Sequence, residues 1–217
     1  MKLHDERRDY EQGQLRRNQL PQNPFELFAD WFTQAQAQAN SPDPTAFTLA
    51  TVGADGQPHQ RIVLLKQVDA TGFVFFTNYT SQKGQDLAHN PLASVHFAWL
   101  GLERQVRIEG RVEKLDSTAS ENYFSSRPRG SQLGAHASEQ SRTIESREQL
   151  EARYHQLNSD FAGKDIPKPE HWGGYRVVPS LFEFWQGGRY RLHDRFCYRC
   201  DNSLAATSPW RITRLQP

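Results

Sequence analysis

The densest group of chemically capable side chains in this sequence lies near its C-terminus, in Phe184-Trp185-Gln186-Gly187-Gly188-Arg189-Tyr190-Arg191-Leu192-His193-Asp194-Arg195. A large aromatic, a glycine pair, three arginines and a histidine within twelve residues give far more donor capacity than a structural hairpin needs. Cationic and amide side chains in or beside strands are costly unless an anion or a polar ligand neutralises them. Three other segments share this character. In Arg61-Ile62-Val63-Leu64-Leu65-Lys66 an extended chain turns Arg61 and Lys66 to opposite sides, so one strand offers cations to two different groups, or else carries two solvated end charges. Phe76-Thr77-Asn78-Tyr79-Thr80-Ser81-Gln82-Lys83 runs from a strand into a helix start, where free N–H groups and the dipole suit a phosphate. Tyr123 and Arg127 share a helix face with Ser131 just beyond, a second phosphate clamp or an ordinary surface stack.

Other chemistries lack support. The sequence has no G-x-G-x-x-G, Walker loop, H-E-x-x-H or G-x-S-x-G. Its two cysteines, Cys197 and Cys200, have C-x-x-C spacing, which suits a redox pair or half of a zinc site. With no second pair to complete a ribbon, and with residues three apart on a strand facing opposite ways, they read as structural, and no metal is expected. Lys and Arg number 26 against 25 Asp and Glu, so a net charge of +1 gives no field drawing the chain to nucleic acid or an acidic membrane. No run approaches the ~20 apolar residues of a membrane span, and the N-terminus has no apolar leader, so the expected location is cytoplasmic.

Secondary-structure signals show what positions these groups. Residues 1–20, with Arg7, Arg8, Arg16 and Arg17 among polar neighbours, lack an apolar face and are expected to form a mobile arm, leaving 21–217 as a single domain. Asn23-Pro24-Phe25-Glu26 signals a helix start, and Phe25, Phe28, Trp31 and Phe32 recur at helical spacing towards Asn40. Strands are expected at 47–52, 60–68, 73–77, 93–99 and 105–115, with a short helix capped by Ser81 and stopped by Asn90-Pro91. Helices at 117–126 and 146–161 flank a polar loop, and strands return at 175–178, 181–185, 196–200 and 210–215. Short strands without βαβ alternation argue for a mainly β fold with helical additions (α+β), a barrel in preference to a doubly wound sheet. A hydrophobic fraction of 36% and a mean hydropathy of −0.79 are lean for 217 residues, so part of the apolar surface is expected to be covered by a second copy, as a homodimer.

The ordered set R-I-V-L-L-K, F-x-T-N-x-x-S-x-K, R-x-E-G-R-V-E, S-x-R-P-x-G-S-Q-x-G-A, W-x-G-Y-R and W-Q-G-G-x-x-R-L-H-D-R resembles the pyridoxamine/pyridoxine 5′-phosphate oxidase family from about Arg7 to Pro217. That resemblance implies an FMN-binding split β-barrel homodimer with FMN sites at the subunit interface. It assigns Arg61, Ile62, Val63, Leu64, Leu65, Lys66, Phe76, Thr77, Gln82, Lys83, Gln105, Gln140, Ser141, Trp185 and Arg195 to the cofactor. It assigns Arg7, Tyr10, Lys66, Tyr123, Arg127, Ser131, Arg191 and His193 to the substrate, the last pair beside the reacting ring as catalytic residues, and the two sets need not come from one chain. The implied reaction oxidises pyridoxamine 5′-phosphate or pyridoxine 5′-phosphate to pyridoxal 5′-phosphate, with O2 as acceptor and H2O2 as product. Alternatives are another FMN split-barrel oxidoreductase, or a non-catalytic carrier of FMN or pyridoxal phosphate. One position departs from the pattern: Ser81-Gln82-Lys83 stands where S-R-K is usual. An amide replaces a charged phosphate contact there, so Gln82→Arg is expected to tighten FMN roughly tenfold.

Overall fold

The computed structural model describes residue 4 and residues 9–38, 43–200 and 209–217. Among the described residues nine antiparallel strands form one sheet: β1 (Ala46–Val52), β2 (Pro58–Leu64), β3 (Gln67–Asp69), β4 (Gly72–Asn78), β5 (Leu92–Trp99), β6 (Arg104–Lys114), β7 (Trp172–Gln186), β8 (Asp194–Arg199) and β9 (Arg211–Leu215). Their order is β2-β1-β5-β6-β7-β4-β3, with β8 added to β7 and β9 to β8. Since only Leu65 and Lys66 separate β2 from β3, the chain itself joins the two ends of this order, and the sheet curls into a barrel. Period-two alternation fills it: Phe47 and Leu49 from β1, Val106, Ile108 and Val112 from β6, and Phe182 and Phe184 from β7 all point inward.

Helix α1 (Pro24–Gln36) closes one mouth of the barrel. Asn23 accepts a hydrogen bond from the Phe25 N–H at its start, and Leu27, Phe28 and Trp31 bury its apolar face. The helix stops at Gln36; its expected end near Asn40 lies outside the described residues. A second, smaller core of Phe124, Leu133, Ile166 and Trp172 holds α3 (Ser117–Ser126) and α4 (Arg129–Ala137) beside the barrel, with α5 (Arg147–Asp160) packed outside them. Helix α2 (Gln82–His89) follows β4. Among the described residues no helix is long and apolar enough to cross a membrane.

The structure departs from the sequence expectations at five places. The polar loop between α3 and α5 contains α4, which buries Leu133 and Ala137. The strand expected over 60–68 breaks at Leu65, which turns into the core. The two strands expected at 175–178 and 181–185 are one, because a bulge at Ser180, facing the Glu109–Gly110 step, keeps β7 paired with β6 past Pro179. Gly110 is required there: a Cβ would lie 2.1 Å from the Val178 carbonyl oxygen. Ser81 precedes α2 without capping it, its hydroxyl donating to the Asn78 carbonyl. Finally, order begins before Pro21: Leu15 and Leu20 join the core, and the Glu11 and Gln12 N–H groups donate to Glu103.

Candidate functional site

Two concave regions collect the side chains singled out above. The larger, a cleft of about 1050 Å³, lies between β2, the end of β4, the start of α2, and α3 and α4. Arg61, Ile62, Val63, Leu64 and Lys66 line it from β2 and the residues after it, and Phe76, Thr77, Gln82 and Lys83 from β4 and α2. Tyr123, Arg127, Ser131, Gln140 and Ser141 close the opposite wall. Leu65 alone of the 61–66 run is in the core instead, 6% exposed.

The charges in this cleft are costly as they stand. Lys83 is 7% exposed, with Nζ 2.9 Å from Gln140 Oε1 and 3.2 Å from the Ser81 hydroxyl. Burial, helped by the positive charge of Arg61, pulls its ammonium from the ordinary 10.5 down to about 8. Burial also lowers the Arg61 guanidinium, against the attraction of Asp86. At the other end Phe76, Tyr123 and Trp172 stack, with Phe76 and Tyr123 centroids 3.9 Å apart and Phe76 and Trp172 centroids 5.4 Å apart. Arg127 lies 4.7 Å over the Trp172 ring, and its Nη1 is buried without a hydrogen-bond partner. Burial lowers this guanidinium and raises the Tyr123 hydroxyl. An anion entering at either end would relieve these costs.

The second region is on the outer face of the sheet. Gln105, Trp185 and Arg195 lie directly opposite one another on β6, β7 and β8 and border a groove of about 280 Å³ with His96, Arg107 and Glu183. Here the charges are already matched. Arg107 and Arg195 both donate to Glu183, at 2.6 and 2.8 Å. Burial would raise that carboxyl, but these hydrogen bonds outweigh it and hold the group below its ordinary range. The His193 ring is 4.6 Å from Trp185 and 5.4 Å from Tyr10, and its Nδ1 accepts the Gly188 N–H at 3.1 Å. Burial and the charges of Arg191 and Arg195 lower its basicity. Tyr10 packs so closely on Gly187 that a Cβ there would meet its ring at 2.6 Å. Tyr190 and Arg191 both have positive φ, 57° and 63°, a sparsely populated conformation of the kind stored at functional sites. Arg7 lies outside the described residues.

One chain therefore brings the predicted residues together as two groups. Motif reading missed His59, Thr51 and Asp86, a hydrogen-bonded cluster behind Arg61, and Trp172 and Glu183, which hold Arg127 and Arg195. The alternation of His59 with Arg61, and the helical spacing of Gln82 and Asp86, were the available signals for the first cluster. Both cysteines are buried.

A family model described as pyridoxamine 5′-phosphate oxidase covers residues 33–159, and one described as the pyridoxine 5′-phosphate oxidase C-terminal dimerisation region covers residues 172–217. The chain is 52% identical over 215 residues to the pyridoxine/pyridoxamine 5′-phosphate oxidase of Acaryochloris marina, covering 99% of this chain and 95% of the relative. It is 54% identical to the protein of the same name from Burkholderia thailandensis, covering 99% of each. Among solved structures it superimposes on PhzG from Burkholderia lata, in complex with tetrahydrophenazine-1-carboxylic acid, with a TM-score of 0.84 and 30% identity over 92% of this chain and 95% of that one. With the barrel, the two family models and these near full-length relatives in agreement, the chain belongs to the pyridoxamine 5′-phosphate oxidase family.

Proposed function

We propose that this chain is a cytoplasmic FMN-dependent oxidase, converting pyridoxamine 5′-phosphate and pyridoxine 5′-phosphate to pyridoxal 5′-phosphate as a homodimer. The observation that carries this reading is the pair of cation sites at the two ends of one cleft. Buried Lys83 and half-buried Arg61 stand at one end, and Arg127 with its unpartnered Nη1 at the other. A flavin phosphate and a substrate phosphate are two anions of the right kind to meet them, so the residues present fit FMN. The exposed Ile62 and Leu64 on β2, 72% and 39% accessible, and the matched dimerisation region support coverage by a second copy.

In this reading Arg61, Lys83, Thr77, Gln140 and Ser141 hold the FMN phosphate and ribityl chain, and Ile62 to Lys66 run beside the flavin. Lys66, Tyr123, Arg127 and Ser131 clamp the substrate phosphate, with Trp172 fixing the plane of Arg127. Gln105, Trp185 and Arg195 of the second copy complete the flavin site, and Arg191 and His193 of that copy lie at the pyridine ring, with Tyr10 over them. The chemistry that FMN supplies when bound is acceptance of a hydride equivalent from the C4′ carbon and reoxidation by O2, with release of H2O2. The protein's own contribution is placement: two phosphates anchored at fixed separation leave the reacting carbon little freedom. Purified protein incubated with FMN and pyridoxamine 5′-phosphate in air should produce aldehyde and peroxide in equal amounts. Flavin binding without turnover would indicate a carrier, and turnover of other substrates alone a different oxidoreductase.

A further inference from the structure

Asp86, one turn into α2, is 2% exposed yet ionised, and it organises the end of the cleft where Arg61 and Lys83 lie. It accepts hydrogen bonds from the Thr51 hydroxyl at 2.6 Å, Gln82 Nε2 at 2.9 Å and His59 Nδ1 at 3.0 Å, with Arg61 Nη2 at 3.7 Å. Burial would raise this carboxyl, but the three hydrogen bonds outweigh it and hold it low. An ionised carboxylate only accepts, so Nδ1 of His59 carries a proton. The ring's Nε2 makes no hydrogen bond among the described residues, on a side chain 32% exposed at the cleft wall. In that orientation Nε2 donates to an anion only when the ring is imidazolium.

We infer that His59 is a phosphate ligand of the FMN site, its ring oriented by Asp86 so that, once the phosphate is bound, it supplies the charge Gln82 does not. This inference rests on the FMN reading above. Three observations carry it. The Gln82 amide is committed to Asp86 rather than to the cleft. Alternation along β2 puts His59 beside Arg61 on one face, and the helical repeat puts Gln82 and Asp86 on the face of α2 opposed to it. The charge at this end is also short. Arg61 and Lys83 oppose Asp86, leaving one net positive charge at most, for a phosphate that carries about −1.5 to −2. The charged groups facing the imidazole are Arg61 on its own strand, Asp86 and Lys83 on α2, and Asp55 in the β1–β2 turn, which shares the space around Gly53 with it. Set between Asp86 and a phosphate, the ring has an anion on each nitrogen, the arrangement that favours its charged form.

The test uses the full-length chain stripped of flavin, titrated with FMN and with riboflavin, which lacks the phosphate. His59→Gln should raise the FMN dissociation constant about tenfold and leave that of riboflavin unchanged. Gln82→Arg should restore FMN affinity in the His59→Gln background by returning the missing cation, and change it less in the wild type, where His59 already supplies that charge. An unchanged FMN constant, or an equal loss for riboflavin, overturns the inference. Wild-type chain that binds no FMN overturns the cofactor reading instead. Nitrogen NMR of histidine-labelled wild type needs no variant. His59 is the histidine among the cleft-lining residues, so one imidazole should shift to imidazolium on adding FMN and not on adding riboflavin; no such shift overturns the assignment.

Discussion

The cleft and the outer-face groove handle charge in opposite ways. In the cleft Lys83 is buried with only neutral oxygens as partners, and Arg127 keeps an unpartnered nitrogen. In the groove Arg195 and Arg107 are closed onto Glu183, and His193 onto the Gly188 N–H. The first surface is built around anions that must arrive; the second is electrostatically complete and offers ring faces and shape. Their different construction fits a division of labour in which the cleft binds and the groove, brought by another copy, positions the reacting ring.

The sharpest way to break this comparison is at Arg191. If the groove positions and the cleft binds, Arg191→Ala should lower kcat/KM on the order of a hundredfold through lost placement, with melting temperature and FMN content near wild type. Arg191→Lys should recover little, since it keeps charge but not the planar fork. Near-normal kinetics in both variants would make the turn structural. Arg127→Met should act differently, raising KM for pyridoxamine 5′-phosphate about ten- to a hundredfold while kcat changes less, as expected for one lost charge-assisted phosphate contact.

Combining the two variants tests whether the regions meet across subunits. Co-expressed Arg191→Ala and Arg127→Met chains form hybrids with one doubly impaired site and one intact site. Random pairing should then restore about a quarter of wild-type activity, since half the dimers are hybrids with one good site in two. If both residues served a site within one chain, mixing would restore nothing.

The smallest expected effect concerns the unneutralised charge itself. The folded chain holds the Lys83 ammonium at about 8 against the ordinary 10.5, so between these values the unfolded chain binds more protons and stability rises with pH. Flavin-free wild type should therefore gain melting temperature relative to Lys83→Met from pH 8 to 10, and saturating FMN should abolish the gain. A parallel pH dependence in the two proteins would show that Lys83 carries no such penalty.

Most of the barrel was legible because its strands alternate cleanly and α1 announces itself with Asn23-Pro24. Helix α4 was not, because Arg129-Gly130-Ser131 and Gly134 read as loop, and only Leu133 and Ala135 meeting the Phe124 core make it helical. The continuity of β7 depended on a bulge at Ser180 and on a glycine facing it in another strand, Gly110, which no local signal near Pro179 reveals. At the site, cations in strands were conspicuous, but their holders were not. Asp86 and Trp172 are ordinary in sequence and take their meaning from His59, Arg61 and Arg127, which approach from other elements.

Strand β7 carries Trp172 beneath Arg127 at one end and Trp185 in the groove at the other. Thirteen steps of about 3.3 Å separate the two tryptophans, making the strand a ruler with a contour of roughly 43 Å. In a dimer whose sites each take one end from either chain, this ruler sets the spacing between the two reaction centres. Deleting one residue beyond the bulge would shorten it slightly and also turn Glu183 and Trp185 to the opposite face. The strand's length is thus under a parity constraint as well as a metric one, so viable changes in its span should come in pairs of residues or be absorbed by the bulge at Ser180.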